Sequence, residues 1–123
     1  MIITIPEIPP SYNKYLGNSK SHFLYHDEKK KWVWLVRSAL PHGYKQFKIP
    51  VAIKIEYRFK TRIRRDLDNY SGKFIMDALV KAKVIPDDSI KWVPIEILTG
   101  SLGNKKEETI ISIIEVDKIF ELF

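Results

Sequence analysis

The segment VAIKIEYRF, residues 51–59, is the clearest strand in the sequence. Apolar side chains stand at every odd position from Val51 to Phe59, and the positions between them are mostly charged. Because successive side chains of a strand point to opposite faces of its sheet, one face should be apolar and the other charged. The pattern predicts a sheet with one face against a core and the other face exposed or near a charged ligand.

Two further elements are predicted before this strand. The β-branched residues 2–5 end at Pro6 and indicate a short first strand. More prolines follow closely, so residues 7–23 should form a polar, partly basic loop. A helix over 27–40 should begin at Asp27 and bury one face, formed by Trp32, Leu35, Val36 and Ala39.

The remaining elements are a helix over 69–83, a turn over 86–89, a strand over 90–98, a hairpin loop over 100–106 and a strand over 108–116. The order β-α-β-α-β-β predicts an α+β fold, a two-layer sandwich with two main helices packed on one face of a mixed β-sheet. The short 99–107 connection predicts that the last two strands are antiparallel neighbours.

The composition narrows the class of protein. Residues 1–123 fit one domain with a sizeable core, since 45% of the residues are hydrophobic. No apolar run approaches the roughly 20 residues that span a bilayer, and the first residues do not resemble a signal peptide, so we expect no membrane partner. The absence of cysteine suits a reducing cytoplasm. A net charge of +6 favours a polyanionic partner such as nucleic acid.

The segment RRDLDN, residues 64–69, carries the strongest chemical pattern. It lies between a predicted strand and a predicted helix, and one residue separates its two carboxylates, Asp66 and Asp68. In extended backbone, residues i and i+2 point to the same side, so both carboxylates can reach one cation. Mg²⁺ usually takes one or two carboxylates together with water and phosphate oxygens. The segment therefore indicates a metal-assisted phosphodiester site.

A second acidic pair, Asp87 and Asp88, follows the second predicted helix. A helix that returns along the sheet can bring this turn towards the first pair. Several carboxylates close together then need a cation or basic groups to balance them. Arg64, Arg65 and Lys73 are basic neighbours that could contact phosphates.

Each pattern also has a purely structural interpretation. Asp68 could cap the N-terminus of the helix, and Asp87 could belong to a solvated turn. Lys73 with Asp77 could be an ordinary surface pair. Two tryptophans of the first helix are interpreted as core and interface residues rather than base-stacking groups, namely Trp32 and Trp34. On these residues alone, a basic globular domain is the simpler interpretation.

Two segments resemble the RusA family of Holliday-junction resolvases. The first is RRDLDN followed by Lys73, Asp77-Ala78-Leu79 and Asp87-Asp88, which is similar to the family signature. The second is PPSYNKY, residues 9–15, which is similar to the family's N-terminal Pro-Pro-Ser-x-Asn motif. The resemblance extends from Ile2 to about Val116. One departure is that residues 69–73 are one residue longer than the family pattern and include Gly72.

The resemblance implies a homodimeric, Mg²⁺-dependent endodeoxyribonuclease typical of phages and prophages, with Mn²⁺ as a substitute ion. Such an enzyme makes paired nicks in a four-way junction during DNA recombination and repair. By matching position, the resemblance implies three groups of site residues: metal-binding catalytic carboxylates at Asp66, Asp68 and Asp88; essential basic residues at Arg65 and Lys73; and supporting acidic residues at Asp77 and Asp87.

We therefore predict a structure-specific endonuclease for four-way or branched DNA in the cytoplasm of a bacterial or phage-infected cell. Lys73 should stabilise phosphate charge, and it should orient the nucleophile or protonate the leaving oxygen. A dimer contact is expected on strand 90–98 and on the tail 119–123. DNA contacts are expected from Arg64, Arg65, Lys73, Asn13, Lys14 and Lys20. Two alternatives stay open: a DNA-binding module without catalysis, and a metal-dependent nuclease for another branched DNA or RNA.

Overall fold

A computed structural model of the chain describes residues 1–12 and 21–122, with side chains for 1–12 and 23–120. Within these residues the chain forms two α-helices and a four-stranded mixed sheet, which confirms the predicted α+β class. The elements are β1 (Ile2–Ile5), α1 (Ser21–Ala39), β2 (Val51–Arg58), α2 (Lys73–Lys81), β3 (Ile95–Ser101) and β4 (Glu108–Glu115), with 3-10 segments at Leu67–Asn69 and Val116–Leu122.

The strands lie in the order β1-β4-β2-β3. β3 runs parallel to β2, with Ile95 opposite Ala52, whereas β4 runs antiparallel to both β1 and β2. The prediction that the last two strands are antiparallel neighbours is therefore wrong, because β2 lies between them.

The connection from β3 to β4 crosses the end of β2, and Asn104 holds it there. The backbone N–H and the side-chain amide of Asn104 both donate to the Phe59 carbonyl at 3.0 Å. The Phe59 N–H in turn donates to the Ser101 carbonyl at 2.8 Å. Residues 102–107 are long enough to cross two strand spacings, roughly 10 Å, so a short connection does not require a hairpin.

The core lies between the helices and one face of the sheet. Trp32 of α1 and Phe74 of α2 are almost fully buried, and they belong to one cluster with the apolar side chains of β2. The buried side chains of this strand and its extension include the predicted odd-numbered set, Val51, Ile53, Ile55, Tyr57 and Phe59. The alternation that predicted β2 therefore identifies the face of the sheet that packs against the core.

Charged side chains on the opposite face of β2 are paired with each other. The Arg58 guanidinium lies 3.1 Å from the Glu56 carboxylate and 3.2 Å from the Glu108 carboxylate of β4. Cross-strand opposite charges of this kind stabilise an exposed face modestly. Arg58 is thus engaged within the sheet.

Both helices begin at other residues than predicted. α1 begins at Ser21 rather than Asp27, and its added first turns carry Tyr25, whose ring centroid lies 5.1 Å from that of Phe74. Packing against α2 thus extends the helix beyond its capping signal. α2 begins at Lys73 rather than at residue 69, because residues 67–69 form a separate 3-10 turn.

β3 begins at Ile95 rather than at residue 90. Residues 89–92 form a turn, in which the Trp92 N–H donates to the Ser89 carbonyl at 2.9 Å. Pro94 lies directly before the strand. Because proline has no backbone N–H, it cannot donate a hydrogen bond to a neighbouring strand from within β3. β3 lies at an edge of the sheet, where a proline at the start of a strand is tolerated.

Candidate active site

The loop after β2 carries the RRDLDN segment, and Arg65 braces this loop from within. Its guanidinium donates to the carbonyls of Thr61 and Ile63 at 3.2 and 3.0 Å, and to the Thr61 hydroxyl at 2.7 Å. Its Cζ also lies 4.3 Å from the centroid of the Phe59 ring. Arg65 therefore fixes the path of the chain as it leaves the sheet, and its hydrogen-bonding capacity is largely used inside the loop.

Asp66 and Asp68 are exposed and make no ion pair within the described residues. Asp66 has extended backbone angles (φ −104°, ψ 127°) and precedes the 3-10 turn, but its side chain does not cap that turn. Asp68 lies inside the turn, and Gly72 rather than Asp68 is the N-cap of α2. The capping interpretation of Asp68 is therefore wrong, and both carboxylates remain open to a ligand.

Asp66 borders a small polar cavity of about 270 Å³. We call it the aspartate cavity, and its lining residues are Ser11, Arg64, Arg65, Asp66, Asn69 and Tyr70. Ser11 comes from the PPSYNKY segment near the N-terminus, so the two motifs that are far apart in sequence meet at this cavity. Arg64 is exposed at its wall, where its charge can balance that of Asp66.

The same N-terminal segment also reaches α2 beside Lys73. The Tyr12 ring stacks on the Phe74 ring with 6.2 Å between centroids, and the Lys73 Nζ lies 5.8 Å from the centroid of the Tyr25 ring. The Tyr25 hydroxyl, as hydrogen-bond acceptor, and then the charges of Tyr25 and Tyr12 raise the pKa of Lys73 above its ordinary value. The raised pKa favours the protonated ammonium, which suits stabilisation of phosphate charge.

Asp77 and Asp88 lie in a different and larger cavity, of about 690 Å³, between α1 and α2. We call it the interhelical groove, and its lining residues are His26, Lys29, Lys30, Val33, Trp34, Arg37, Asp77, Val80, Lys81 and Asp88. The Asp77 carboxylate lies 3.4 Å from the Lys29 ammonium, so its charge is compensated. Asp87 and Asp88 are exposed, and Asp87 lines neither cavity.

Glu96 of β3 is a carboxylate that the sequence patterns did not indicate. It pairs in register with Ile53, so it points to the helical face of the sheet, and its carboxylate lies where a Cβ on Gly72 would stand. Partial desolvation, and then the charge of Asp88, raise the pKa of Glu96. The sequence carried one weak signal, because Glu96 has the same parity along the strand as the apolar Leu98, which is half-buried.

The carboxylates at the site are the type of ligand that magnesium binds, since Mg²⁺ prefers carboxylate oxygens and completes its coordination shell with water and phosphate oxygens. Asp66 and Asp68 stand together on one turn, whereas Asp88 lines the interhelical groove and acts electrostatically on Glu96. Within the described residues no group of three or more histidine, aspartate or glutamate side chains is close enough to hold a metal. The structure therefore offers a pair of adjacent carboxylates, with Asp88 set apart from them.

Three predicted DNA contacts, Asn13, Lys14 and Lys20, lie outside the described residues. No helix within the described part of the chain has the length and apolarity needed to cross a membrane.

Comparison with known proteins identifies one family. The family model described as endodeoxyribonuclease RusA matches residues 7–114 of the 123-residue chain. The matched range contains both motifs, the aspartate cavity and all of α2. Comparison with curated proteins gives no match.

Proposed function

Because this chain belongs to the RusA endodeoxyribonuclease family, we propose that it is a Mg²⁺-dependent enzyme that resolves four-way DNA junctions by paired nicks. The family itself implies an endonuclease that resolves Holliday junctions. The observation that supports the finer proposal is that Asp66 and Asp68 are both exposed and stand two residues apart, with Asp66 beside Arg64 at the cavity where the two motifs meet. Neither carboxylate has an ion-pair partner within the described residues, so both are free to bind a cation.

Asp66, Asp68 and Asp88 are the proposed metal ligands, with Mn²⁺ as a substitute for Mg²⁺. When bound, the ion would activate water and neutralise charge on the scissile phosphate. Arg64 contacts a phosphate at the cavity wall, and Arg65 holds the loop that presents the carboxylates. Asp87 adds negative charge next to Asp88.

Lys73 stands at the N-terminus of α2, where the helix dipole already favours negative charge. Its raised pKa favours the protonated form, so the proposed role of Lys73 is to stabilise the charge that develops on the phosphate, and proton donation to the leaving oxygen is the second proposed role. Asp77 is held by Lys29, and this ion pair ties α1 to α2 beneath the site.

Two nicks in equivalent strands require two sites, and a two-fold homodimer supplies them. Exposed apolar side chains on the tail and before β3, Phe120 and Ile90, are the proposed contact residues. The proposed setting is DNA recombination and repair in the cytoplasm of a bacterial cell that carries a phage or prophage.

The test is incubation of the protein with a synthetic four-way junction, a flapped duplex, a linear duplex and a structured RNA, each with EDTA, Mg²⁺ or Mn²⁺. We expect symmetric nicks in the four-way junction with either metal and none in EDTA. Binding without cleavage in every metal would identify a DNA-binding module. Preferential cleavage of the flap or the RNA would identify a nuclease for another substrate.

A further inference from the structure

The interhelical groove has a positive wall built from both helices. Four cations line it, and they outnumber its two carboxylates: Lys29, Lys30, Arg37 and Lys81. Lys29 is engaged with Asp77, and the Arg37 guanidinium donates to the Lys81 carbonyl at 3.0 Å, at the last turn of α2. Within the described residues Lys30 and Lys81 are exposed and make no ion pair. Their charge is therefore available to an anionic partner.

An exposed indole stands among these cations. Trp34 is 66% exposed, although Trp32 on the same helix is buried. Trp34 lies one turn after Lys30 and one turn before Arg37, and Val33 and Val80 make the floor of the groove apolar. A large exposed aromatic ring flanked by cations is the chemistry that binds nucleic-acid bases by stacking while the backbone is held by charge.

We propose that the interhelical groove receives the branch point of the junction, where Trp34 stacks on an exposed base and Lys30 and Lys81 hold the flanking phosphates. This inference rests on the proposed function. Inside a duplex arm both faces of each base are covered by neighbouring base pairs, so only the branch offers a free face to the indole. The groove volume of about 690 Å³ lies within the range of cavities that hold small organic ligands, the size class of a nucleotide.

Two features of the groove favour DNA over a second copy of this chain. Two identical basic faces would repel each other across a two-fold axis, whereas a phosphate backbone complements them. Asp88 also lines the groove. A strand that lies in it therefore passes beside a carboxylate of the proposed catalytic set.

The test compares Trp34→Ala with Trp34→Phe in EDTA, by fluorescence anisotropy on a four-way junction and on a duplex of the same sequence. We expect Trp34→Ala to weaken junction binding about tenfold, as expected for one lost stacking contact, and to change duplex binding less than twofold. Trp34→Phe should retain most of the junction affinity. Ile2→Ala, which removes an apolar side chain of β1 that is 70% exposed outside the groove, is the matched control.

Lys30→Ala and Lys81→Ala should weaken binding to both DNAs equally and each lower the salt slope by about one. Lys105→Ala, in the exposed loop before β4, is their control. Equal losses on duplex and junction in Trp34→Ala would overturn the proposal, as would a change of sedimentation mass in that variant. Failure of the wild type to cleave with Mg²⁺ would instead refute the proposed function, because the binding measurements contain no metal.

Discussion

The aspartate cavity and the interhelical groove differ in what their acidic side chains are free to do. In the smaller cavity Asp66 is exposed, has no ion-pair partner within the described residues and caps no helix. In the larger groove Asp77 is compensated by Lys29, and the remaining surface combines cations with an apolar floor. The comparison shows a carboxylate that has arginines nearby but no direct ion pair where chemistry is proposed, and an ion-paired carboxylate beside cations and apolar side chains where binding is proposed.

The largest effect is expected from Asp66, which lines the aspartate cavity, and from Asp68, two residues further along the chain. Asp66→Asn and Asp68→Asn keep the side-chain volume but remove the charge that would hold a metal. Each should lower junction cleavage more than about a hundredfold, since even supporting residues of metal sites typically cost tenfold to a hundredfold, and junction affinity in EDTA should be retained. Asp117→Asn is the control, because it follows β4 at the other end of the sheet.

The same assay on Asp88→Asn tests whether the two cavities are functionally separate. A loss of cleavage as large as that of Asp66→Asn would mean that DNA or metal binding joins the groove and the aspartate cavity into one site. Normal cleavage with altered affinity would assign Asp88 to the groove and remove it from the proposed ligand set.

Lys73→Ala should have the next largest effect. A protonated amine that acts on developing phosphate charge contributes mainly in the transition state, so kcat should fall about a hundredfold while Kd for the junction changes little. Lys81→Ala is the matched control, because it should alter Kd and spare kcat. A Lys73 variant whose loss lay entirely in Kd would be an ordinary backbone contact.

Gly72→Ala should destabilise the fold by about 1–3 kcal/mol, because the added Cβ would collide with the Glu96 carboxylate and lie 2.7 Å from Ile55 Cδ1. Urea unfolding measures the loss. Gly100→Ala, whose Cβ would meet Leu67 Cδ1 at a milder 3.3 Å, is the control. Adding Glu96→Ala to Gly72→Ala should recover part of the stability. Additive losses in the double variant would show that the glycine serves another purpose.

The smallest effect concerns Glu96, which lies beside Gly72. Its pKa is raised in the folded state, so folding favours its protonated form and its ionisation opposes folding. This penalty is absent at a pH below the pKa of Glu96 in the unfolded chain, and it is fully present at a pH above the pKa of Glu96 in the folded protein. Glu96→Gln should therefore match the wild type in Tm near pH 4 and exceed it slightly at pH 7. A Tm difference that does not change with pH would contradict this assignment.

The local sequence pattern predicted the positions of the strands whose two faces differ in polarity. It failed where the structure depends on contacts between residues far apart in the sequence. β1, β2 and β4 lie close to their predicted ranges. The pairing of β4 was mistaken because a short loop was taken for a hairpin, whereas Asn104 binds Phe59 across the end of another strand. The sequence of residues 99–107 does not by itself predict a contact with Phe59.

The candidate site shows the same division. Asp66, Asp68 and Lys73 were indicated by spacing within one segment and by the family resemblance. The interpretation of Trp34 as an interface residue stays a prediction; the groove in which it stands exposed depends on how α1 meets α2, which local spacing does not show. Glu96 was missed because its partner, Gly72, belongs to another element.

The pairing of β1 with β4 has a consequence for the synthesis of the chain. Ile2 lies opposite Ser112, so the first strand acquires its only sheet neighbour among the described residues when the last strand has left the ribosome. At translation rates of about 5–20 residues per second, β1 waits roughly 5–20 seconds for that neighbour. During this interval the isoleucines of β1 can contact other chains. Chaperones are therefore most able to act before β1 pairs with β4.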